Sequence, residues 1–317
     1  MSEKANKTQK LAGGLLGQIE DGSRVALIRL RSLGDCVLTT PAIQILKSWR
    51  PDLRLAVVVE ERFAAVFEGN PCLERVIAPS CQALRAWRPA VCVNLHGGTR
   101  SMMLTLASGA RQRVGFAHHQ GAWLYTARIP RAQQILGEER VVHTAEHLAS
   151  AMFWMGCPRV EIPRASLPAA TGVPGGAHAV IHASAAASYK TWNPAGFRAV
   201  AEHLQRRWDL EPVFIGASSD SFEEFRAYRV LAGAPLREVM QCIAAARIFV
   251  GNDSGPAHIA AATGVPLVVL YGRLEHSVIW APWRAERARS LASPEGIHGI
   301  KTADVVSAVD DLLSGWS

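Results

Sequence analysis

The chain has 317 residues, 49% of them hydrophobic and only 19% charged, and its 34 lysines and arginines exceed its 27 acids to give a formal net charge of +7. That balance excludes an intrinsically disordered chain, which needs low hydrophobicity and dense charge. A length near 300 residues is where a single core stops growing, so two domains are expected.

The first ten residues are polar and lead into Gly13, Gly14 and Gly17 rather than an apolar core with a cleavage site, so no secretion signal is read there. The most apolar uncharged run, residues 254–272, is interrupted by Pro256, His258, Gly264 and Pro266, and falls short of the roughly 18 apolar residues a membrane span requires. A cytoplasmic protein is expected. Six cysteines are scattered without a C-x-x-C pair, which points to buried thiols rather than disulfides or zinc.

Short β-branched runs then alternate with helix-length segments. Strands are expected over residues 25–30, 55–60, 75–78 and 91–95, and again over 179–182, 213–216, 248–252 and 267–271. Continuous apolar runs such as 55–59 and 266–270 suit strands buried on both faces of a parallel sheet. Between the two sets, residues 158–176 carry Pro158, Pro163, Pro168, Pro174 and three glycines with little periodicity, which marks a linker. The expected organisation is an N-terminal domain over 1–160 and a C-terminal domain over 175–317. The fold class is α/β, with two doubly wound Rossmann-like domains facing each other across a cleft. An amphipathic helix over about 302–313 could pack on either domain.

The charge is uneven. Residues 81–131 hold seven arginines, Arg85, Arg88, Arg100, Arg111, Arg113, Arg128 and Arg131, with no lysine and no acid. Arginine grips phosphate and carboxylate with a rigid fork, so an anionic partner is one reading and a solvated face paired with acids from elsewhere is the other. The segment has no nucleic-acid module signature, and nucleic-acid binding ranks last.

Three stretches could carry chemistry. The first strand runs into Leu30-Arg-Ser-Leu-Gly-Asp35, and a helix is expected from about Thr40, with Thr40 as cap and Pro41 in its first turn. Gly34 and Asp35 then stand at the carboxyl end of strand one, where open α/β sheets bind ligands; an Asp that merely caps the helix is the alternative. In the second half, the strand over 179–182 enters a loop of small residues containing Ser184 and ending at Lys190. Such a loop lets backbone approach a phosphate while one lysine supplies charge, unless it is only a flexible connection. Lastly, Gly251-Asn-Asp-Ser-Gly-Pro-Ala-His258 takes a strand straight into an alanine-rich helix, whose free N–H groups would form a diphosphate-sized anion site. Asp253, Ser254, Gly255 and His258 belong to it; a capped helix with a core-facing histidine is the alternative.

Absences narrow the chemistry. No Gly-x-Gly-x-x-Gly follows a strand and no Gly-x-x-x-x-Gly-Lys-Ser/Thr occurs, which disfavours a dinucleotide dehydrogenase and a P-loop NTPase. There is no Asp-x-Asp to hold a divalent metal, so no metal site is expected and Lys190 with helix dipoles must neutralise any leaving diphosphate.

Together, Arg29-Leu-Arg-Ser-Leu-Gly-Asp35 with Pro41 downstream, His182-Ala-Ser with Lys190-x-Trp192 after it, and the 251–258 run resemble glycosyltransferase family 9, the bacterial lipopolysaccharide heptosyltransferases. The likeness spans about residues 24–290. It implies a GT-B type fold and an inverting transfer that needs no cofactor or metal. The implied donor is a nucleotide sugar, ADP-heptose, held mainly by the C-terminal domain. The implied acceptor is an anionic lipid-linked core glycan approached by the N-terminal domain, with the arginine segment from Arg85 to Arg131 receiving its phosphates or sugar acids.

Carried over residue by residue, Asp35 matches the general base, Lys190 the diphosphate-binding lysine, and Asp253, Ser254, Gly255 and His258 the donor-binding loop. Ser184 falls at a phosphate-contacting hydroxyl, and Asp220 or Glu223 at the acid that meets the nucleoside ribose. Peripheral contact with the inner face of the membrane accompanies such an acceptor. A nucleotide-sugar epimerase and a non-catalytic nucleotide-sugar-binding protein are the competing readings.

Overall fold

A computed structural model of the chain describes residues 14–170 and 176–315. The polar residues 1–10 and residues 171–175 of the Pro/Gly-rich stretch lie outside the described residues. The chain divides into two compact units, Met1–Pro163 and Arg164–Ser317.

The first unit contains β1 (Arg24–Ile28), α1 (Leu33–Trp49), β2 (Arg54–Val58), β3 (Arg75–Ile77), α2 (Cys81–Trp87), β4 (Val91–Asn94), α3 (Thr99–Ala107), β5 (Gln112–Phe116), β6 (Ala127–Ile129), α4 (Ala132–Leu136) and α5 (Thr144–Trp154). Its six strands are parallel in the order β3-β2-β1-β4-β5-β6. The second unit contains β7 (His178–His182), α6 (Pro194–Trp208), β8 (Glu211–Gly216), β9 (Arg229–Ala232), α7 (Leu236–Ala244), β10 (Ile248–Asn252), α8 (Gly255–Thr263), β11 (Leu267–Tyr271), α9 (His276–Ile279), β12 (Ala288–Ala292) and α10 (Thr302–Ser314). Its six strands are also parallel, ordered β12-β11-β10-β7-β8-β9. Each sheet reverses strand order at its centre, between β1 and β4 in one unit and between β7 and β10 in the other. Crevices outside the carboxyl ends of those pairs are where doubly wound sheets place ligands.

All eight expected strands form, and their apolar runs explain why: β4, β10 and β11 are buried at every residue. Four further strands were not legible. β6, β9 and β12 are edges that expose Arg128, Arg229 and Arg289, and β5 opens with Gln112 and Arg113. The C-terminal helix α10 belongs to the second unit, where Val305, Val309, Leu312 and Leu313 join the core around Trp192 and Phe197.

One expectation is corrected. The helix after strand one starts at Leu33, not near Thr40, and Pro41 lies inside it. Pro41 has no N–H to offer the carbonyl of Val37 four residues back. The Thr40 hydroxyl donates to that carbonyl at 2.8 Å, so the helix runs on. Asp35 therefore sits in the first turn of α1 rather than in a loop ahead of it.

Candidate active site

In the second unit the site is built on the carboxyl ends of β7 and β10, which pair with Gly251 opposite His182. Asn252, fully buried, ties the two loops together: its Oδ1 accepts from Trp192 N at 3.1 Å and its Nδ2 donates to Ala183 O at 2.8 Å. Trp192 is itself buried and donates from Nε1 to Ile300 O at 2.9 Å. This clamp fixes the segment carrying Lys190, whose Nζ meets Asp253 Oδ2 at 2.7 Å.

Ser254 is the N-cap residue of α8, yet its side chain makes no capping bond. Its Oγ lies instead 2.9 Å from His182 Nδ1. Burial holds the His182 imidazole down at about 4, so it is neutral at pH 7. The first turn of the nine-residue α8, entered through Gly255 and Pro256, is thus left without a side-chain cap beside a lysine, an arrangement suited to an anion. His258, one turn in, is buried.

At the end of β8, a Cβ on Gly216 would meet Asp220 Oδ2 at 2.6 Å and Ser184 Oγ at 3.5 Å, so the absent side chain leaves room for both. The Asp220 carboxylate accepts from Ala217 N at 2.9 Å. Glu223, by contrast, is on the surface and pairs with Arg226 at 2.8 Å. Of the two acids considered for the ribose, only Asp220 lies against the strand end.

Sequence reasoning missed His276 and Trp280 here. His276 Nδ1 stands 3.7 Å from Asp253 Oδ2, and Lys190 Nζ lies 5.0 Å from the Trp280 ring centroid. The signal was available, because both residues follow β11 at the same carboxyl-end rim.

In the first unit, Ser32 is the N-cap residue of α1; its side chain makes no capping bond, and its hydroxyl donates instead to Asp35 Oδ2 at 3.2 Å. Asp35 is therefore not the cap. Its carboxylate is 28% exposed and stands 3.7 Å from Nη1 of Arg29, a side chain only 7% exposed. Burial pulls the Arg29 guanidinium below its ordinary value, and Asp35 opposes that pull. Gly34, the second residue of α1, is buried.

Four histidines surround this corner, and none was singled out from the sequence. His96 follows β4, His118 and His119 follow β5, and His147 lies in α5, stacked on Phe116 at 4.2 Å. Burial, then His118 and Arg29, brings His147 and His119 to about 4. Burial and then Arg29 lower His96 as well. Gly97, at φ +79, is required: a Cβ there would lie 2.6 Å from the His119 ring. His119 and His147 are neutral at pH 7, and His96 and His147 lie within electrostatic reach of Asp35.

His119, His147 and His182 take up protons more readily in the unfolded chain than in the fold, because their folded values are depressed to about 4 from 6.5. Their stabilising contribution is complete above that ordinary value and is lost as pH falls toward 4. Thermal unfolding followed across this window should show a falling Tm. His182→Asn should flatten the slope.

The arginine segment does not form one patch. Arg88 and Arg111 precede β4 and β5, and Arg85 and Arg113 donate to Ala107 O and Ala110 O at 3.2 and 3.0 Å. These four lie toward the amino ends of the parallel strands, away from Asp35. Arg128 is in edge strand β6. Only Arg100 and Arg131 follow β4 and β6 onto the rim that carries Asp35, and Arg100 pairs with Glu60 at 3.1 Å. The expected docking segment is thus reduced to two of its seven arginines, with Arg29 and the exposed Arg31 supplied by the loop after β1.

Comparison with known proteins bears on what these corners serve. Residues 80–298 match the family model described as Glycosyltransferase family 9 (heptosyltransferase). The chain belongs to glycosyltransferase family 9. The matched span contains Lys190, Asp253 and His258 and begins after Asp35. Among similar proteins, lipopolysaccharide heptosyltransferase 3 of Escherichia coli is 26% identical over 90% of this chain and 97% of its own length. Lipopolysaccharide heptosyltransferase 1 of Pseudomonas aeruginosa is 26% identical over 78% of each chain.

Solved structures share the fold over most of the chain. The glycosyl transferase family 9 protein of Veillonella parvula gives a TM-score of 0.79 at 19% identity, covering 93% of this chain and 98% of that one. Escherichia coli ADP-heptose lps heptosyltransferase II gives 0.75 at 19%, covering 92% and 99%. Escherichia coli heptosyltransferase WaaC, solved with ADP-2-deoxy-2-fluoro heptose, gives 0.71 at 18%, covering 91% and 99%. The two parallel six-stranded sheets of this family-9 chain are the fold those structures share.

Proposed function

We propose that this family-9 enzyme transfers a heptose from ADP-heptose to a lipopolysaccharide core acceptor with inversion at the anomeric carbon. The observation that carries the reading is the second unit's anion corner, where Lys190, Ser254 and the uncapped start of α8 meet at the β7/β10 strand reversal.

The chemistry is set by the residues. Asp35, partly exposed and accepting from Ser32, takes the proton of an acceptor hydroxyl as that oxygen attacks the anomeric carbon from the face opposite the leaving diphosphate. One displacement inverts the centre, and no covalent intermediate forms. Negative charge growing on the diphosphate is met by Lys190 and by the N–H groups of α8 around Gly255, the role a divalent cation plays in other transferases. Ser184 donates to a phosphate oxygen and Asp220 receives the ribose hydroxyls. His258 supports the donor loop from within α8.

The first unit serves the acceptor and the second the donor. Arg29, Arg31, Arg100 and Arg131 give the Asp35 rim a positive character that suits acceptor phosphates or sugar acids. Among the described residues no helix is long and apolar enough to cross a membrane. A lipid-linked acceptor is then met from the cytoplasmic surface, toward which the net charge of +7 favours peripheral attraction.

The test is mass spectrometry of a heptose-deficient lipopolysaccharide core incubated with ADP-heptose and the protein. A gain of one heptose with release of ADP is expected. Donor converted to an epimer with no change in the core would instead mark an epimerase, and donor bound but never consumed would mark a binding protein.

A further inference from the structure

Lys190 has two anions to serve. Without donor, its ammonium neutralises Asp253, a carboxylate only 6% exposed, at 2.7 Å. With donor, on the reading above, it turns to the diphosphate. A buried carboxylate cannot be left alone without a large desolvation penalty, so a second cation must replace the first. His276 is placed for that substitution. Its side chain is 8% exposed, its Nδ1 faces Asp253 Oδ2 at 3.7 Å, and that nitrogen has no hydrogen-bond partner.

We infer that His276 takes up a proton from solvent when a nucleoside diphosphate draws Lys190 away from Asp253, so that the buried carboxylate exchanges an ammonium for an imidazolium. The surroundings favour this in both states. Besides Asp253 and Lys190, the charged groups that face His276 are Glu275, with Oε1 3.9 Å from Nε2, and Arg273, which pairs with Glu275 and lies over the Tyr189 ring. Tyr189 and Trp280 flank the imidazole edge-on, with centroids at 6.2 and 4.7 Å, and buried Tyr271 donates to Trp280 O at 2.9 Å. In the free enzyme, burial first and Lys190 second hold the imidazole below its ordinary value, against the pull of Asp253. When the ammonium moves to phosphate, the second of those influences weakens and Asp253 remains.

The Trp280 ring lies beside both cations of the exchange, 5.0 Å from the ammonium and in a T-shaped contact with His276. Lys190 can therefore swing over an aromatic face, where a cation is stabilised, while His276 stays in place. His276 is a positioning residue, acting on the diphosphate only through Asp253 and Lys190.

This inference rests on the donor reading and is tested separately from it. ADP is titrated calorimetrically into the full chain at pH 7 in buffers of different ionisation enthalpy. The expected result is net uptake of about 0.5 to 1 proton per ADP in excess of that measured for His276→Gln, whose remaining proton exchange reports ADP's own phosphate. Correspondingly, wild-type affinity should fall more steeply than the variant's as pH rises from about 6.5 to 8. Asp253→Asn, which removes the carboxylate instead, should abolish the same excess and serves if His276→Gln does not fold. Equal proton counts in wild type and variant, with ADP bound by both, overturn the inference and leave the donor site standing. Failure of the wild type to bind ADP overturns both.

Discussion

Replacing Asp35 with asparagine is expected to reduce transfer by at least ~10²-fold, the lower range for loss of a general base, while ADP affinity stays at the wild-type level. Asparagine keeps the size of the side chain and can still accept from Ser32 Oγ, now 3.2 Å from Asp35 Oδ2. It cannot take a proton from the acceptor hydroxyl. Binding of ADP should be indifferent because the donor residues, Lys190 and Asp253 to Gly255, belong to the other compact unit. The change also removes the carboxylate beside Arg29, whose side chain is 7% exposed, so a modest loss of Tm should accompany it. Rates and thermal unfolding measured on one preparation separate the two effects. Near-normal transfer by a folded Asp35→Asn variant would remove Asp35 from the catalytic role.

How much a sequence reveals depends on how local the governing physics is. β4 and β10 are buried on both faces, so their composition alone announces them. β6, β9 and β12 are edges held by one neighbour each, and their arginines read as surface because that is where they lie. Pro41 suggested a helix start because proline favours the first turn, whereas the rescue of Val37 O by Thr40 is visible only in three dimensions.

The same contrast separates the site residues. Asp35, Asp253 and Ser254 lie directly after a strand or at a helix start, and Lys190 in the loop between β7 and α6, where position in a βαβ rhythm implies position at the crevice. The four histidines near Asp35 were missed because lone histidines carry no local pattern; β4, β5 and α5 bring them in from distant points. The arginine segment errs in the other direction. Its seven residues are contiguous in charge, but a parallel sheet sends residues ahead of a strand to one rim and residues beyond it to the opposite rim. Arg88 and Arg111 are thereby parted from Arg100 and Arg131.

Lys190→Met should have the largest combined effect. Its side chain is 19% exposed and its partner Asp253 only 6%, and removing one member of a buried pair costs about 3–5 kcal/mol because the other charge is left unpaired. Donor affinity should fall with it, and transfer should drop by ~10²–10³-fold, as when one transition-state charge donor is removed. The two losses have different origins and can be separated. Lys190→Met/Asp253→Asn removes the stranded carboxylate, so denaturant unfolding should return most of the stability while transfer stays low. Recovery of transfer in the double variant would mean that Lys190 serves the fold through Asp253 and not the diphosphate. His276 adds a pH signature to the single variant. Standing 3.7 Å from Asp253, it can supply the missing positive charge only where it is protonated. The stability deficit of Lys190→Met should therefore be small at acidic pH and grow as pH rises through the histidine range, whereas loss of packing alone would give a deficit independent of pH.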